Sequence, residues 1–250
     1  MRVLEFDGGR ETIVFLHGGN VAGWMWGQQV PSFGDYRVIV PDLPGFGESR
    51  GEEWVSIADT ADRVAEILDG PTHVVGLSLG SSIAIELAVR HPALVRSLFL
   101  ASAQVAPPRR RDRVVGRFML TLWERRGFWT SLARSYGLAD SDAELFIETG
   151  LGIRRATADA IFEEVSRGIP REVLELVEAP TLAVAGERDS RSVNRTSLEL
   201  VSRGIPGSLT AIAPGMHHQW NIEDVELFTS ALRTWLASGG IDTGLVARRG

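Results

Sequence analysis

A serine between two glycines, at the junction of a predicted strand and a predicted helix, is the feature of this sequence that most directly suggests chemistry. Residues 74–80 read VVGLSLG, which places Ser78 at the centre of a G-x-S-x-G pattern. Such a turn lifts the serine hydroxyl off the sheet, and a Cβ atom at Gly76 or Gly80 would collide with the neighbouring strand or helix. The pattern therefore predicts a nucleophilic serine.

A serine hydroxyl is a weak nucleophile at its ordinary pKa, so it needs a base, and the base needs an orienting acid. The chain has five histidines. We interpret His17, His73 and His91 as structural, because they lie at strand or helix ends. His217 and His218 follow a predicted strand, at the edge of a parallel sheet where ligands bind. One of these two is expected to be the base.

The orienting acid is expected at the end of another predicted strand. The strand at 181–186 is followed by Glu187, Arg188 and Asp189, whereas residues 101–106, after the preceding strand, contain no carboxylate. Asp189 lies one loop beyond the sheet and is the predicted acid. Glu187 is the competing candidate for the role of acid. The alternative interpretation of Glu187 is a solvated charge in the loop.

Acyl transfer also needs backbone N–H groups that stabilise a developing oxyanion. Leu79 follows Ser78 at the start of the predicted helix, where the helix dipole assists its N–H group. The second donor is expected from the glycine-rich loop at 17–20, at Gly19, with Asn20 as the alternative. This loop cannot be a phosphate-binding P-loop, because the chain contains no lysine.

Six short aliphatic or β-branched runs alternate with helical patterns. They are predicted to be strands at 12–17, 36–42, 72–78, 95–103, 181–186 and 208–213. Several are apolar almost throughout, which is typical of parallel strands buried on both faces. Ser56 and Asp59 mark the start of one helix, and another runs from Leu79 to before Pro92. The alternation predicts an α/β fold with a doubly wound, mostly parallel sheet.

The alternation stops between residues 103 and 181. Four helical patterns fill this stretch, at 114–126, 129–136, 142–149 and 157–167. We therefore predict a helical cap over 104–180, inserted late in the sheet, and a core formed by 1–103 and 181–238. Residues 239–250 lack periodicity and are predicted to be a mobile tail.

Charge is unevenly distributed along the predicted cap. Residues 107–136 contain eight arginines and two acids, whereas residues 137–172 contain four arginines and eight acids. We interpret the basic half as a solvated face balanced by the acidic half. The alternative is an arginine-lined entrance that attracts an anionic substrate.

The composition excludes several other classes of function. The chain has 250 residues, 44% hydrophobic and 23% charged, which is typical of a globular protein. Without cysteine or lysine it can form neither thiolate metal sites nor Schiff bases. Its net charge of −6 argues against nucleic acid as a partner, and no apolar run is long enough to span a membrane. We expect a soluble, cytoplasmic protein with a small-molecule substrate, no cofactor and no metal, and leave its oligomeric state open.

Together these motifs resemble the α/β-hydrolase superfamily, and the resemblance covers most of the chain from 17 to 236 apart from the cap. It rests on HGG at 17–19, PDLPGFGES at 41–49, GLSLG at 76–80, GERD at 186–189 and GMHHQWNIE at 215–223. The order Ser78, Asp189, His218 is the family's order of nucleophile, acid and base.

The resemblance also selects between the two adjacent histidines. Family members commonly place an acid five positions after the base, and Glu223 stands at that distance from His218. In the family a glycine often precedes the base, where this chain has His217. By the same resemblance, Asp42 and Ser49 are expected to be parts of the scaffold.

The leading hypothesis is a cofactor-free serine hydrolase that acts on a carboxylic ester through an acyl-enzyme. A carbon–carbon bond hydrolase, a lactonase, a thioesterase or a lyase on the same triad is the alternative within the fold. An alternative of another class is a receptor-like binding module with little turnover. If they converge, the following residues are expected to line the substrate pocket: Trp24, Trp26, Trp123, Trp129, Trp220 and His217.

Overall fold

An eight-stranded sheet forms the centre of the protein, as seen in a computed structural model that describes residues 1–136, 138 and 140–248. The strands are β1 (Val3–Phe6), β2 (Thr12–Leu16), β3 (Arg37–Pro41), β4 (Thr72–Leu77), β5 (Val95–Ala101), β6 (Thr181–Gly186), β7 (Leu209–Ala213) and β8 (Val246–Arg248). Their order across the sheet is β1-β3-β2-β4-β5-β6-β7-β8. The six strands from β2 to β7 pair in parallel, which confirms the predicted fold class.

The two edge strands were not predicted. β1 pairs with β3 and β8 pairs with β7, both antiparallel. β8 lies in the segment 239–250, where the sequence analysis expected a mobile tail, and Val246 there pairs with Ile212. This expectation is corrected for 246–248, because backbone pairing at the edge of a sheet needs no buried periodic pattern in the added strand.

Helices lie along the chain between the strands. They are α1 (Ile57–Ala65), α2 (Leu79–Arg90), α3 (Arg110–Leu120), α4 (Arg126–Ser135), α5 (Asp140–Gly152), α6 (Arg155–Arg167), α7 (Arg171–Leu174), α8 (Leu198–Gly204), α9 (Trp220–Glu223) and α10 (Val225–Ser238). The Ser56 hydroxyl accepts a hydrogen bond from the Asp59 N–H (3.0 Å) at the start of α1, as its capping pattern predicts. No helix in the described part of the chain is long and apolar enough to cross a membrane.

Five of these helices, α3 to α7, stand between β5 and β6, where the sequence analysis placed a helical cap. Ion pairs join the basic and acidic halves of this segment: Arg117 contacts Glu163, and Arg126 contacts both Glu144 and Glu148. All five side chains are about half exposed or more, so each pair adds little stability. The contacts favour the interpretation of a balanced, solvated face.

Candidate active site

Ser78 occupies a strained turn between β4 and α2. Its backbone has φ 54° and ψ −110°, a left-handed conformation that is uncommon for a residue other than glycine. A Cβ atom at Gly76 would lie 2.5 Å from the Gly80 carbonyl oxygen, and one at Gly80 would lie 2.2 Å from the Leu16 carbonyl oxygen. Both flanking positions therefore require glycine, as the sequence analysis predicted.

A continuous line of hydrogen-bonded side chains leads from Ser78 to Asp189. His218 Nε2 is 2.9 Å from Ser78 Oγ, and His218 Nδ1 is 2.8 Å from Asp189 Oδ2. The Asp189 side chain is only 5% exposed, and its second oxygen accepts a hydrogen bond from the Ser190 N–H (2.6 Å). Three residues that are 140 and 29 positions apart in the chain thus meet at the carboxyl ends of β4, β6 and β7.

The loop that carries His218 is attached to the loop that carries Asp189. Glu187 accepts a hydrogen bond from the Gly215 N–H (2.8 Å), and the Arg188 N–H donates to the Met216 carbonyl (2.8 Å). Glu187, the competitor for the role of acid, therefore contacts the backbone of the histidine loop instead of an imidazole. The sequence analysis missed this bracing function, because no pattern indicates which loops lie side by side.

Close packing at the end of β6 brings the two loops together. A Cβ atom at Gly186 would lie 2.2 Å from the His217 carbonyl oxygen, so any larger residue would push the histidine loop away from the strand. The sequence analysis did not identify Gly186 as a residue that helps to position the histidine loop. A glycine at a strand end is the only signal for it, and that signal is weak.

The two adjacent histidines have different surroundings. The His217 side chain is 56% exposed, and both its N–H group and its ring Nδ1 contact Glu223 Oε2 at 2.9 and 3.0 Å. His218 alone of the two faces Ser78. His217 lines a neighbouring cavity of about 550 Å³ and does not line the cavity that contains Ser78.

The electrostatic surroundings of His218 favour its protonated form. Burial lowers the pKa of the imidazole, but the charge of Asp189, the hydrogen bond to Asp189 and the charge of Glu223 all raise it. The pKa of His218 consequently lies above the ordinary histidine value. An imidazole of this kind takes up a proton readily when a neighbouring hydroxyl loses one.

The predicted oxyanion donors lie beside Ser78. Gly19, Asn20 and Leu79 line the same cavity as Ser78, and a Cβ atom at Gly19 would lie 3.9 Å from the Leu79 Cβ. The glycine-rich loop and the start of α2 thus form one wall of the cavity. The two residues predicted to supply the N–H donors thus line the same cavity as Ser78.

His17 supports this wall from within the core. Its Nδ1–H donates to the Gly18 carbonyl (2.8 Å), and its Nε2 accepts from the Leu43 N–H (3.0 Å). Burial lowers the pKa of His17 to about 4, so the ring stays neutral and keeps both contacts. Asp42, expected to be scaffold, accepts from the N–H groups of Gly23 (2.7 Å) and Glu48 (2.8 Å).

The cavity above Ser78 has a volume of about 280 Å³ and a largely apolar lining. Its apolar lining residues, from the core and from α3, α4 and α6 with their flanks, are Leu77, Leu79, Met119, Leu120, Trp123, Tyr136, Ala158, Ile161, Phe162 and Val165. Gly116 on α3 also lines it, and a Cβ atom there would lie 2.4 Å from the Phe162 ring.

The described part of the chain contains no cluster of three or more acidic or histidine side chains that could hold a metal ion.

The predicted tryptophan pocket is mostly wrong. Trp123 lines the cavity, but the other four do not. Trp26, Trp129 and Trp220 are fully buried and pack in the core, and Trp24 donates to Thr149 Oγ1 (3.0 Å) beside a separate cavity. Their ring contacts are Trp26 with Phe15 (5.0 Å), Trp129 with Trp123 (4.7 Å) and Trp220 with Phe228 (4.5 Å). Large aromatic side chains gain more by filling the core than by lining a cavity.

The architecture is shared with known proteins. A sequence model described as the alpha/beta hydrolase family matches residues 13–230. The chain belongs to this family. The superfamily resemblance deduced from the motifs is thereby confirmed.

Three similar proteins show the degree of sequence identity and structural similarity between this α/β hydrolase and known proteins. An AB hydrolase superfamily protein from Gibberella zeae is 29% identical, over 94% of this chain and 83% of its own. A pimeloyl-[acyl-carrier protein] methyl ester esterase from Neisseria meningitidis is 26% identical, over 92% and 94%. A thermophilic esterase from Thermogutta terrifontis has a solved structure with a TM-score of 0.76, 24% identity and coverage of 94% and 92%. These similarities indicate that the protein is a hydrolytic enzyme with esterase-like relatives.

Proposed function

We propose that this α/β hydrolase is a serine esterase that cleaves carboxylic esters through an acyl-enzyme. Ser78 is the nucleophile, His218 the general base and Asp189 the residue that orients His218. The observation that carries the proposal is the hydrogen-bonded line from Ser78 Oγ through His218 (2.9 Å) to Asp189 (2.8 Å). This geometry supports the roles of nucleophile, base and orienting acid.

The first half of the reaction forms the acyl-enzyme. His218 Nε2 takes the hydroxyl proton as Ser78 Oγ attacks the ester carbonyl carbon, while Asp189 holds the proton on Nδ1 and stabilises the imidazolium. The carbonyl oxygen becomes negatively charged and is stabilised by the N–H groups of Gly19 and Leu79. When the tetrahedral intermediate collapses, His218 returns the proton to the departing alcohol oxygen.

The second half of the reaction regenerates the enzyme. A water molecule takes the place of the alcohol, and His218 Nε2 removes one of its protons as the water oxygen attacks the acyl carbon. The same N–H groups stabilise the second oxyanion. Collapse releases the carboxylic acid, and the proton held by His218 returns to Ser78 Oγ.

The lining of the cavity supports an ester with an apolar, uncharged acyl group. Among the described residues that line it, His218 is the only one whose side chain can carry a charge near neutral pH. The arginines of the basic half of the cap segment are absent from this lining, which argues against an arginine-lined site for an anionic substrate. The neisserial relative, named for a methyl ester, supports carboxylic ester hydrolysis as the reaction class.

Covalent labelling combined with turnover tests the proposal. A serine-directed phosphonate is expected to label Ser78, identified by peptide mass spectrometry, and an activated ester with a short acyl chain is expected to turn over repeatedly. A receptor-like module would be labelled without useful turnover. Labelling at another serine, or hydrolysis that persists after labelling, would contradict the proposed mechanism.

The pH dependence of the reaction provides a second prediction. His218 must be neutral to accept the proton of Ser78, so kcat/KM falls as pH drops through the pKa of His218. Because that pKa is raised, the acid limb of the kcat/KM profile is expected to lie above ~6.5, the ordinary histidine value. Initial rates on a neutral ester measure the profile.

Glu223→Gln is the matched variant for this prediction. The amide can still accept the hydrogen bond from the His217 N–H, but it removes one of the charges that raise the pKa of His218. The acid limb is therefore expected to move to lower pH, with little change in the plateau rate. An unchanged limb, or a shift to higher pH, would show that Glu223 does not act on His218 in this way.

A further inference from the structure

One polar side chain in the cavity has no function in the mechanism above. Gln219 follows His218 in the chain, is 8% exposed and lines the cavity that contains Ser78. Its backbone is fixed, because its carbonyl accepts hydrogen bonds from the N–H groups of Ile222 (3.0 Å) and Glu223 (3.2 Å) at α9. The side chain thus starts from a rigid backbone beside the general base.

The amide oxygen of Gln219 is buried without a hydrogen-bond partner among the described residues. A buried carbonyl normally has a partner, since an unmade hydrogen bond costs the full desolvation of the group. Asn20, Ser78 and Tyr136 in the same lining carry side-chain donors, but none of them forms a hydrogen bond with this oxygen. An unsatisfied acceptor on a residue that lines a substrate cavity is matched to a donor that arrives with the substrate.

The position of Gln219 indicates where such a donor would lie. Gln219 and Tyr136 are the described residues common to the lining of two cavities. One is the apolar cavity at Ser78, and the other, of about 550 Å³, is also lined by polar residues, including Gln28, Arg188 and His217. Gln219 therefore lies at the boundary between an apolar and a polar compartment.

We propose that Gln219 is a specificity-determining residue that accepts a hydrogen bond from a hydroxyl or amide N–H group of the ester substrate. The substrate class is thus an ester with an apolar body in the cavity above Ser78 and a hydrogen-bond donor at its polar boundary. This inference rests on the proposed esterase function and extends it. The reaction steps remain those of Ser78, His218 and Asp189, since Gln219 takes no proton.

Two pairs of esters, each matched in shape, test the inference. 2-Hydroxyethyl butanoate is compared with propyl butanoate, and propyl 3-hydroxybutanoate with propyl 3-methylbutanoate. Each pair exchanges a hydroxyl for a methyl group, on the alcohol side in the first and on the acyl side in the second. The measured quantity is the ratio of kcat/KM within a pair, for the wild type and for Gln219→Met, which keeps the side-chain length and removes the amide.

In at least one pair, Gln219→Met is expected to lower the ratio of hydroxyl to methyl ester by about tenfold, the size of effect expected for one hydrogen bond. Intrinsic differences between the two esters cancel, because the same pair is measured with both proteins. Gln28→Met is the control, because Gln28 is exposed and lines only the polar cavity of the two. It is expected to leave both ratios unchanged. A melting curve for each variant checks that it is folded.

Two other outcomes have separate meanings. Equal ratios in the wild type and Gln219→Met for both pairs, with Ser78 still labelled by the phosphonate, would overturn the inference and leave the esterase proposal intact. No hydrolysis of any of the four esters, with Ser78 unlabelled, would overturn the proposed function and the inference with it.

Discussion

Replacing Ser78 with alanine is expected to lower kcat for a simple ester by about 10⁴-fold or more, while the protein remains folded. The substitution removes only Oγ, the atom proposed to form the acyl bond, and its hydrogen-bond partner in the structure is His218. The proposed oxyanion donors and the cavity remain, so the residual rate is expected to reflect binding and electrostatic stabilisation alone. Steady-state hydrolysis measures kcat, and far-UV circular dichroism shows whether the variant is folded.

Ser82→Ala is the matched control for the Ser78 variant. Ser82 lies on α2, its N–H donates to the Ser78 carbonyl, and its side chain is buried but does not line the cavity. The control variant is expected to keep kcat within a few-fold of wild type. Wild-type-like activity in Ser78→Ala, or a comparable loss in both variants, would remove Ser78 from the position of nucleophile.

The elbow at Ser78 could be predicted from the sequence because its motif is local. Five consecutive residues carry the motif, although only the need for glycine at Gly76 comes from the following helix, and that at Gly80 comes from the Leu16 carbonyl of β2. The six parallel strands could be predicted for a similar reason. Strands such as β4, in which every residue is buried, appear in a sequence as short apolar runs between helical patterns.

Features that depend on contacts between distant segments could not be predicted in this way. A tryptophan has the same local signature whether it fills the core, as Trp26 and Trp220 do, or lines a cavity, as Trp123 does. The contact of Glu187 with the histidine loop, and the Gln219 amide oxygen that has no partner among the described residues, likewise depend on how distant loops pack together. The edge strand β8 was missed because its burial is slight, so it has no apolar pattern.

Replacing His218 with alanine is expected to lower the rate at which a phosphonate labels Ser78 by about 10⁴-fold or more at neutral pH. Labelling requires transfer of the hydroxyl proton, and His218 Nε2, at 2.9 Å from Ser78 Oγ, is the group placed to accept it. The measurement is the second-order labelling rate constant, followed by mass spectrometry. It isolates the acylation step from deacylation and product release.

His217→Ala is the control that makes this prediction specific to one of two adjacent histidines. The His217 ring is more than half exposed and contacts Glu223, and the backbone N–H that binds the same carboxylate remains in the variant. The loop should therefore keep its place, and labelling of Ser78 is expected to stay within about tenfold of wild type, since an exposed contact of this kind contributes little. The reverse ranking, with His217→Ala inactive and His218→Ala active, would transfer the role of base to His217. Equal losses would mean that the His217 ring, and not its backbone, holds the loop that presents His218 to Ser78.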